Sequence, residues 1–399
     1  MTHDFQTMRR AAGALRRSAA LLALAALTAC GAGGAEEAIY LGIAGPTSIS
    51  NGRSMRMAAE MAVEEINLAG GIDGRPLALV VKDDEASPER AIEVATELRE
   101  DPRIVAVVGH INSAASVAAA DVYNHPERGV VELSPASSSL TLSEAGEWTF
   151  RVCPTDLQHA PALAQWTYGR LGLRRAAVLY ANDDYGRGLL EAFAQAFEQE
   201  GGQVIARDPF LPSLAESPDA FVPYLERALR NEMDALIIAG QAAEGYRILQ
   251  AARRLGYTGP VLGADGITSL RQAGDLAEGV YITSAFLPDR PTAAAQAFVQ
   301  AYEERYGEQP DHRGAMTYDA VYLLARALRD TGAARTGIAS MDDAARVRRA
   351  VRDYLASVGN ETPAFEGVSG TIRFDENGDV TDKNVDVGVV RGGQLVTAS

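Results

Sequence analysis

Cysteine is nearly missing from this chain, with two in 399 residues, at positions 30 and 153. Histidine is scarce as well: the five residues at 3, 110, 125, 159 and 312 show no metal-ligand spacing. No H-E-x-x-H, paired C-x-x-C, Walker-type loop or G-x-S-x-G elbow occurs, so metal binding and hydrolysis lack their parts. Positive charge is in deficit, 37 Lys and Arg against 53 Asp and Glu, for a net charge of −16. That balance argues against a nucleic-acid partner. No stretch after the first thirty residues approaches about 18 consecutive apolar positions, so no later segment is expected to span a membrane. What is present is ordinary globular material: 47% hydrophobic and 23% charged residues, enough for a core and no case for disorder. The length suggests two or three structural units, with two lobes the first expectation.

The N-terminus reads as a processing signal. Arg9, Arg10, Arg16 and Arg17 precede the apolar run 19–27, and then come Thr28, Ala29 and Cys30. Leu27-Thr28-Ala29-Cys30 resembles a bacterial lipobox, which implies cleavage before Cys30 and lipidation of its thiol; an ordinary secretory cleavage near Ala29 is the alternative. Residues 31–34 (GAGG) then form a flexible tether. Removing residues 1–29 takes away four Arg and one Asp, leaving 33 basic and 52 acidic residues, net −19. With Cys30 lipidated, Cys153 is the remaining thiol of an exported chain, so no internal disulfide can form, and a cysteine before Pro154 reads as a small buried hydrophobe.

From residue 38 onward, short apolar runs alternate with amphipathic helical patterns. Expected strands are 38–44, 77–81, 104–109, 130–133, 176–181, 203–206 and 235–239. Expected helices include one following Gly52, one over 88–101 capped by Ser87, and others over 161–168, 188–200 and 222–231. Strands that are apolar on both faces and separated by helices imply parallel sheets covered on both sides, a doubly wound α/β architecture. Ligands of such sheets bind beyond the carboxyl ends of the strands, here the loops after Ala44, Gly109, Leu133, Ala181, Ala239 and Gly263.

At those loops the chain resembles the leucine/isoleucine/valine-binding family of periplasmic substrate-binding proteins. Landmarks that coincide in order are Gly45-Pro46, the segment 58–71 (AAEMAVEEINLAGG), Asp83-Asp84 before Pro88, Val108-Gly109-His110, Ser134-Pro135-Ala136, Asp183-Asp184-Tyr185-Gly186, Ala277-Glu278-Gly279 and the segment 370–375 (GTIRFD). The resemblance implies a type I periplasmic-binding fold: two doubly wound parallel-sheet lobes joined by three hinge crossovers, with the ligand cleft between them. It assigns 1–29 to the leader, 30–37 to the lipidated cysteine and tether, 38–155 and 284–342 to the first lobe, and 156–283 and 343–399 to the second.

The resemblance also carries site residues. Ser113 falls on the family's ligand-holding serine, at a helix start whose free N–H groups suit a carboxylate. Ala136 supplies a carbonyl to the ligand's ammonium, and Ser138 a hydroxyl where threonine is more usual. Asp265 is the acidic anchor for the ammonium, and Tyr185 and Tyr318 fall on aromatic positions of the cleft. Asn51 and Gln241 stand where many members carry aromatic residues, which makes the pocket more polar and leaves a branched aliphatic ligand less secure than an amino acid in general. The blander readings stay open: Ser113 as a helix cap, Asp265 as a turn residue, the tyrosines as core. Function follows as an expectation: a lipoprotein that captures a small-molecule ligand, an amino acid, and hands it to an ABC permease, with no catalytic residue, metal or cofactor. A ligand sensor feeding a membrane signalling partner is the alternative. His110, placed to act as a base at the cleft mouth, has no nucleophile to serve. Asp375-Glu376-Asn377-Gly378-Asp379 resembles a calcium loop with its glycine misplaced, and reads as a hairpin turn between strands 371–374 and 385–390.

Overall fold

Strand β1 (Ile39–Gly45) is buried along almost its whole length and accepts parallel neighbours on both sides, β2 (Leu77–Asp83) and β3 (Ile104–Gly109). β4 (Val131–Ser134) and β5 (Thr149–Arg151) complete a five-stranded sheet in the order β2-β1-β3-β4-β5, parallel throughout. Helices α1 (Ser50–Leu68), α2 (Pro88–Glu100) and α3 (Ser113–Tyr123) make the crossovers. Ser87 caps α2 as its sequence suggests, accepting the Arg90 N–H at 3.2 Å, with Pro88 pre-set for the first turn. This computed structural model describes residues 38–399; the expected leader, Cys30 and the expected tether lie outside the described residues, as does the side chain of Asn51.

The second lobe repeats the plan. Helix α4 (Asp156–Gln165) leads into β6 (Arg175–Ala181), α5 (Asp184–Gln199), β7 (Gln203–Phe210), α6 (Val222–Arg230), β8 (Ala235–Ala239), α7 (Ala242–Arg254), β9 (Val261–Gly263) and β10 (Tyr281–Ser284). These strands lie in the order β7-β6-β8-β9-β10, the winding of the first sheet over again. Each sheet therefore reverses direction once, between β1 and β3 and between β6 and β8, and the loops leaving those strands flank a crevice. Helix α4 begins earlier than expected. Thr155 and Gln158 form a capping box at its start, so Pro161 lies inside the helix instead of opening it.

The chain then returns to the first lobe as α8 (Ala293–Tyr306), α9 (His312–Thr331) and α10 (Met341–Ser357). The expected crossing back at residue 343 is corrected by α10. Its Val347, Val351 and Leu355 join the first-lobe core, and the buried Arg348 donates to the carbonyls of Arg99, Asp101 and Ile104. An apolar stripe and a guanidinium matched to three carbonyls hold it there. The short hairpin β11 (Phe365–Gly367) and β12 (Gly370–Ile372) follows, and Phe374 and Val380 still belong to the first-lobe core. The expected pairing of 371–374 with 385–390 is also corrected. β12 pairs with β11, whereas β13 (Asp386–Arg391) runs antiparallel to β10 and to β14 (Gln394–Thr397), extending the second sheet. The turn itself stands: Phe374 bridges Val380, and the Asp375 carboxylate accepts the N–H groups of Asn377 and Asp379.

Three strands of chain thus join the lobes, near 152–156, 284–287 and 380–386. The third is tied back by Lys383, whose Nζ donates to Ser369 Oγ at 2.7 Å; the same hydroxyl and the N–H groups of Val368 and Ser369 donate to the Asp319 carboxylate on α9. Among the described residues no helix is long and apolar enough to cross a membrane.

Candidate functional site

The wall contributed by the first lobe is built from helix starts and hydroxyls. β3 ends at Gly109, and α3 opens at Ser113, whose first turn is closed by the Asn112 carbonyl accepting from Ala115 and Ser116. The loop after β4 is bolted onto this turn. Ser134 Oγ donates to the His110 carbonyl at 2.7 Å and accepts the Ser137 N–H, Ser137 Oγ lies 2.7 Å from Ser116 Oγ, and Ser113 Oγ accepts the Ser139 N–H at 3.3 Å. A serine-rich loop is commonly a solvated turn, but here Ser134, Ser137, Ser138 and Ser139 are all buried. Ala136 lies half-buried in the same loop, its N–H on Ser134 Oγ.

Ser138 is the exception to this satisfaction. Its carbonyl accepts the Asp156 N–H at 2.9 Å, yet its buried hydroxyl and both carboxyl oxygens of Asp156 have no hydrogen-bond partner. Burial pushes the Asp156 carboxyl up to about 7; the Ser138 hydroxyl, close by but not aligned, and Arg151 work against the rise, and Asp265 adds to it. Asp156 sits at the first residue of α4 and packs under α5 at Gly188, where a Cβ would come within 2.6 Å of its Oδ2.

The opposite wall centres on Asp265, directly after β9. Oδ1 accepts from the Tyr185 hydroxyl at 3.4 Å, and that hydroxyl accepts the Gly266 N–H at 3.0 Å. Any side chain at 266 would fall 2.6 Å from both the Tyr185 hydroxyl and the Gly240 carbonyl, so glycine is what lets these loops meet. Oδ2 faces two imidazoles, His159 Nε2 and His312 Nε2, each at 3.6 Å. His159 lies one turn along α4 from Asp156. His312 is the first residue of α9 and belongs to the first lobe, so it reaches across the cleft. Beside it Arg313 Nη1 donates to Thr268 Oγ1 at 2.9 Å, and Thr268 Oγ1 donates to the Asp265 carbonyl at 2.9 Å. Burial, helped by Arg313, pushes His312 down to about 4 against the pull of Asp265; burial lowers His159 too. At the N-cap of α9 burial opposes the charge of Asp311, but Arg313, His312 and Arg271 outweigh it and hold the carboxyl at about 2. Tyr185 is driven well up by burial, then by Asp265 and Asp156.

Ser113 and Ser138 thus share the buried serine loop of the first lobe and Tyr185 and Asp265 a buried group of the second, with Asp156 between them, its N–H on the Ser138 carbonyl and its charge acting on Tyr185; Ala136 is half-buried against the first-lobe core. Gln241 is a neighbour of another kind: it opens α7 in a reciprocal capping box with Glu244, so its amide is engaged with the helix start. Tyr318 corrects the expectation of a cleft residue. Its hydroxyl donates to Glu65 of α1, and its ring packs 4.8 Å from Phe298 and from Tyr322, inside the first lobe. Asn51 is the second residue of α1, and its side chain is outside the described residues. Asp156, His159, Thr268, His312 and Arg313 went unread. The available signals were the T-x-x-Q capping box at 155–158 and the Asp311 cap ahead of a charged first turn. Among the described residues no group of three His, Cys, Asp or Glu side chains is arranged to hold a metal ion.

Two α/β lobes of like winding, three connecting strands of chain and a buried polar cleft fed by both lobes define a two-lobed solute-binding protein. The chain belongs to the periplasmic binding protein family, which it matches over residues 39–394. It is similar to Leu/Ile/Val-binding protein homolog 1 of Brucella abortus, 28% identical over 366 residues that make up 90% of this chain and 91% of that one. Among solved structures it resembles a leucine-binding protein from Thermotoga maritima (TM-score 0.79, 28% identity, 90% and 98% of the two chains covered). It also resembles an ABC transporter substrate-binding protein from Desulfitobacterium hafniense in complex with Leu (TM-score 0.74, 31% identity, 91% and 100% covered).

Proposed function

We propose that this protein captures an amino acid outside the cytoplasm and presents it to an ABC permease, held to a bacterial membrane by lipid on Cys30. The observation that carries the reading is the opposed polarity of the two walls. On one side stand the start of α3 and the hydroxyls of Ser113 and Ser138, donors suited to a carboxylate; on the other stands Asp265, a buried acid with no guanidinium or ammonium from the described residues on its carboxylate. A zwitterion satisfies both at once, and closure of the lobes is then favoured because only the closed state engages both walls. Relatives named for leucine, isoleucine and valine support an amino-acid ligand, and the polar lining supports a wider choice of side chain. Calorimetric titration with the standard amino acids tests it: at least one binds saturably, and a panel in which none does ends the reading. Mass spectrometry of the protein from its native membrane, showing a diacylated Cys30 or an unmodified one, decides the anchor.

A further inference from the structure

The structure assigns His159 and His312, one imidazole from each lobe, to the site as acceptors of hydrogen bonds from the ligand's primary ammonium group beside Asp265. This rests on the amino-acid reading above and sharpens it. Thr268 Oγ1 has a single proton, spent on the Asp265 carbonyl at 2.9 Å, and it already accepts from Arg313 Nη1 at 2.9 Å. Its 3.4 Å contact with His312 Nδ1 is then donated by the ring, which puts the imidazole proton on Nδ1 and leaves Nε2 an acceptor. That nitrogen faces Asp265 Oδ2, another acceptor, at 3.6 Å, and has no hydrogen-bond partner. His159 Nε2 lies in the same relation to that oxygen, 3.6 Å away and unpartnered; its Nδ1 is 3.1 Å from Thr283 Oγ1, a contact that either atom can donate, and the proposed role gives this ring the tautomer of His312.

Buried acceptors converging on one point require a donor there, and a primary ammonium brings three N–H bonds together with the charge that Asp265 lacks. The other titratable and charged groups at this point are Asp156 and Tyr185 from the second lobe and Asp311 and Arg313 on α9. Burial keeps both imidazoles below their usual range, consistent with acceptors that stay uncharged at neutral pH. The arrangement selects a ligand by N–H count as well as by charge: a quaternary nitrogen carries the charge with no donor.

The test uses the mature protein at neutral pH. Calorimetry with the standard amino acids identifies the tightest; its N,N,N-trimethyl analogue and its deaminated acid are then titrated, and His159→Phe, His312→Phe and His312→Gln are compared with the parent. Expected are a loss of about tenfold or more for each phenylalanine variant, partial recovery in His312→Gln through its amide oxygen, and a larger loss for the trimethyl analogue. Nitrogen NMR of histidine-labelled parent protein shows pyridine-type Nε2 signals on both rings that shift when the amino acid is added, a readout that does not depend on any variant folding. Tight amino-acid binding with the phenylalanine variants unaffected, an equally tight trimethyl analogue, or a protonated Nε2 in the complex overturns the assignment and leaves the amino-acid reading standing. A panel in which no amino acid binds overturns both.

Discussion

Among the described residues two buried histidine–aspartate groups occur, and they are built oppositely. Inside the first lobe, His110 Nδ1 and Asp84 Oδ2 meet at 2.6 Å, both fully buried, and the second ring nitrogen lies 3.2 Å from the Tyr123 hydroxyl. In the cleft, His159 and His312 stop 3.6 Å short of Asp265, each with a nitrogen unpartnered. The first group has used its hydrogen-bonding capacity on itself and anchors the loop that carries Ser113. The second holds capacity in reserve. Burial of a histidine beside an acid is therefore not what the proposed site rests on; unfilled valence at the meeting of two lobes is.

Substitutions separate the two groups, and the largest effect belongs to the closed one. His110→Leu strands Asp84 in the core and is expected to cost about 3–5 kcal/mol of folding stability, read by chemical denaturation; a loss near zero would put His110 outside the structural class. Next comes Asp156. Its folded carboxyl lies near 7 against an ordinary 3.8, so the fold holds this proton more tightly than the unfolded chain does. The stability associated with that proton is complete below about pH 4 and is lost as pH rises through 7. Ligand-free Asp156→Asn is accordingly more stable than the parent at pH 8, by an amount on the order of a few kcal/mol, with the gap closing toward pH 4. Parallel curves at both pH values would contradict it. Asp265→Ala acts on binding: amino-acid affinity falls by about 2 kcal/mol or more by calorimetry, and unchanged affinity would remove Asp265 from the site. The smallest effect is at Tyr318→Phe, which gives up the hydroxyl on Glu65 for about 1 kcal/mol of stability and leaves ligand affinity untouched.

The architecture was legible where the sequence is locally decisive. Strands 104–109 and 235–239 lie where their unbroken apolar runs put them, because a strand covered on both faces needs nothing else. The first-lobe wall was expected from the resemblance alone, since a serine-rich loop after a strand end is by itself more commonly a solvated turn; the burial of Ser134 and of Ser137 to Ser139 is what the structure adds. Tyr318 was carried to the cleft by the resemblance, with a core position left open; α9 buries residues all around its circumference, so periodicity could not decide between them, and the choice fell to Glu65 on another helix. His159 and His312 escaped because a search for ligand spacing along the chain is blind to groups brought together from α4, α9 and the loop after β9. Residue 343 misled as a boundary because the docking of α10 depends on carbonyls at the start of β3, which no local pattern announces.

Helix α9 runs without a break from the cleft to the third crossover. Its first residue carries one of the two imidazoles, and seven residues on, two turns along the same face, Asp319 grips the Ser369 segment that Lys383 also holds. A stiff rod of this kind cannot shift at one end and stay still at the other. On the proposed reading, whatever displaces His312 is felt by the strap between the lobes, so the strength of grip on the solute and the ease with which the jaws part are not independently adjustable quantities: altering the tip of this helix is expected to change residence time as well as affinity.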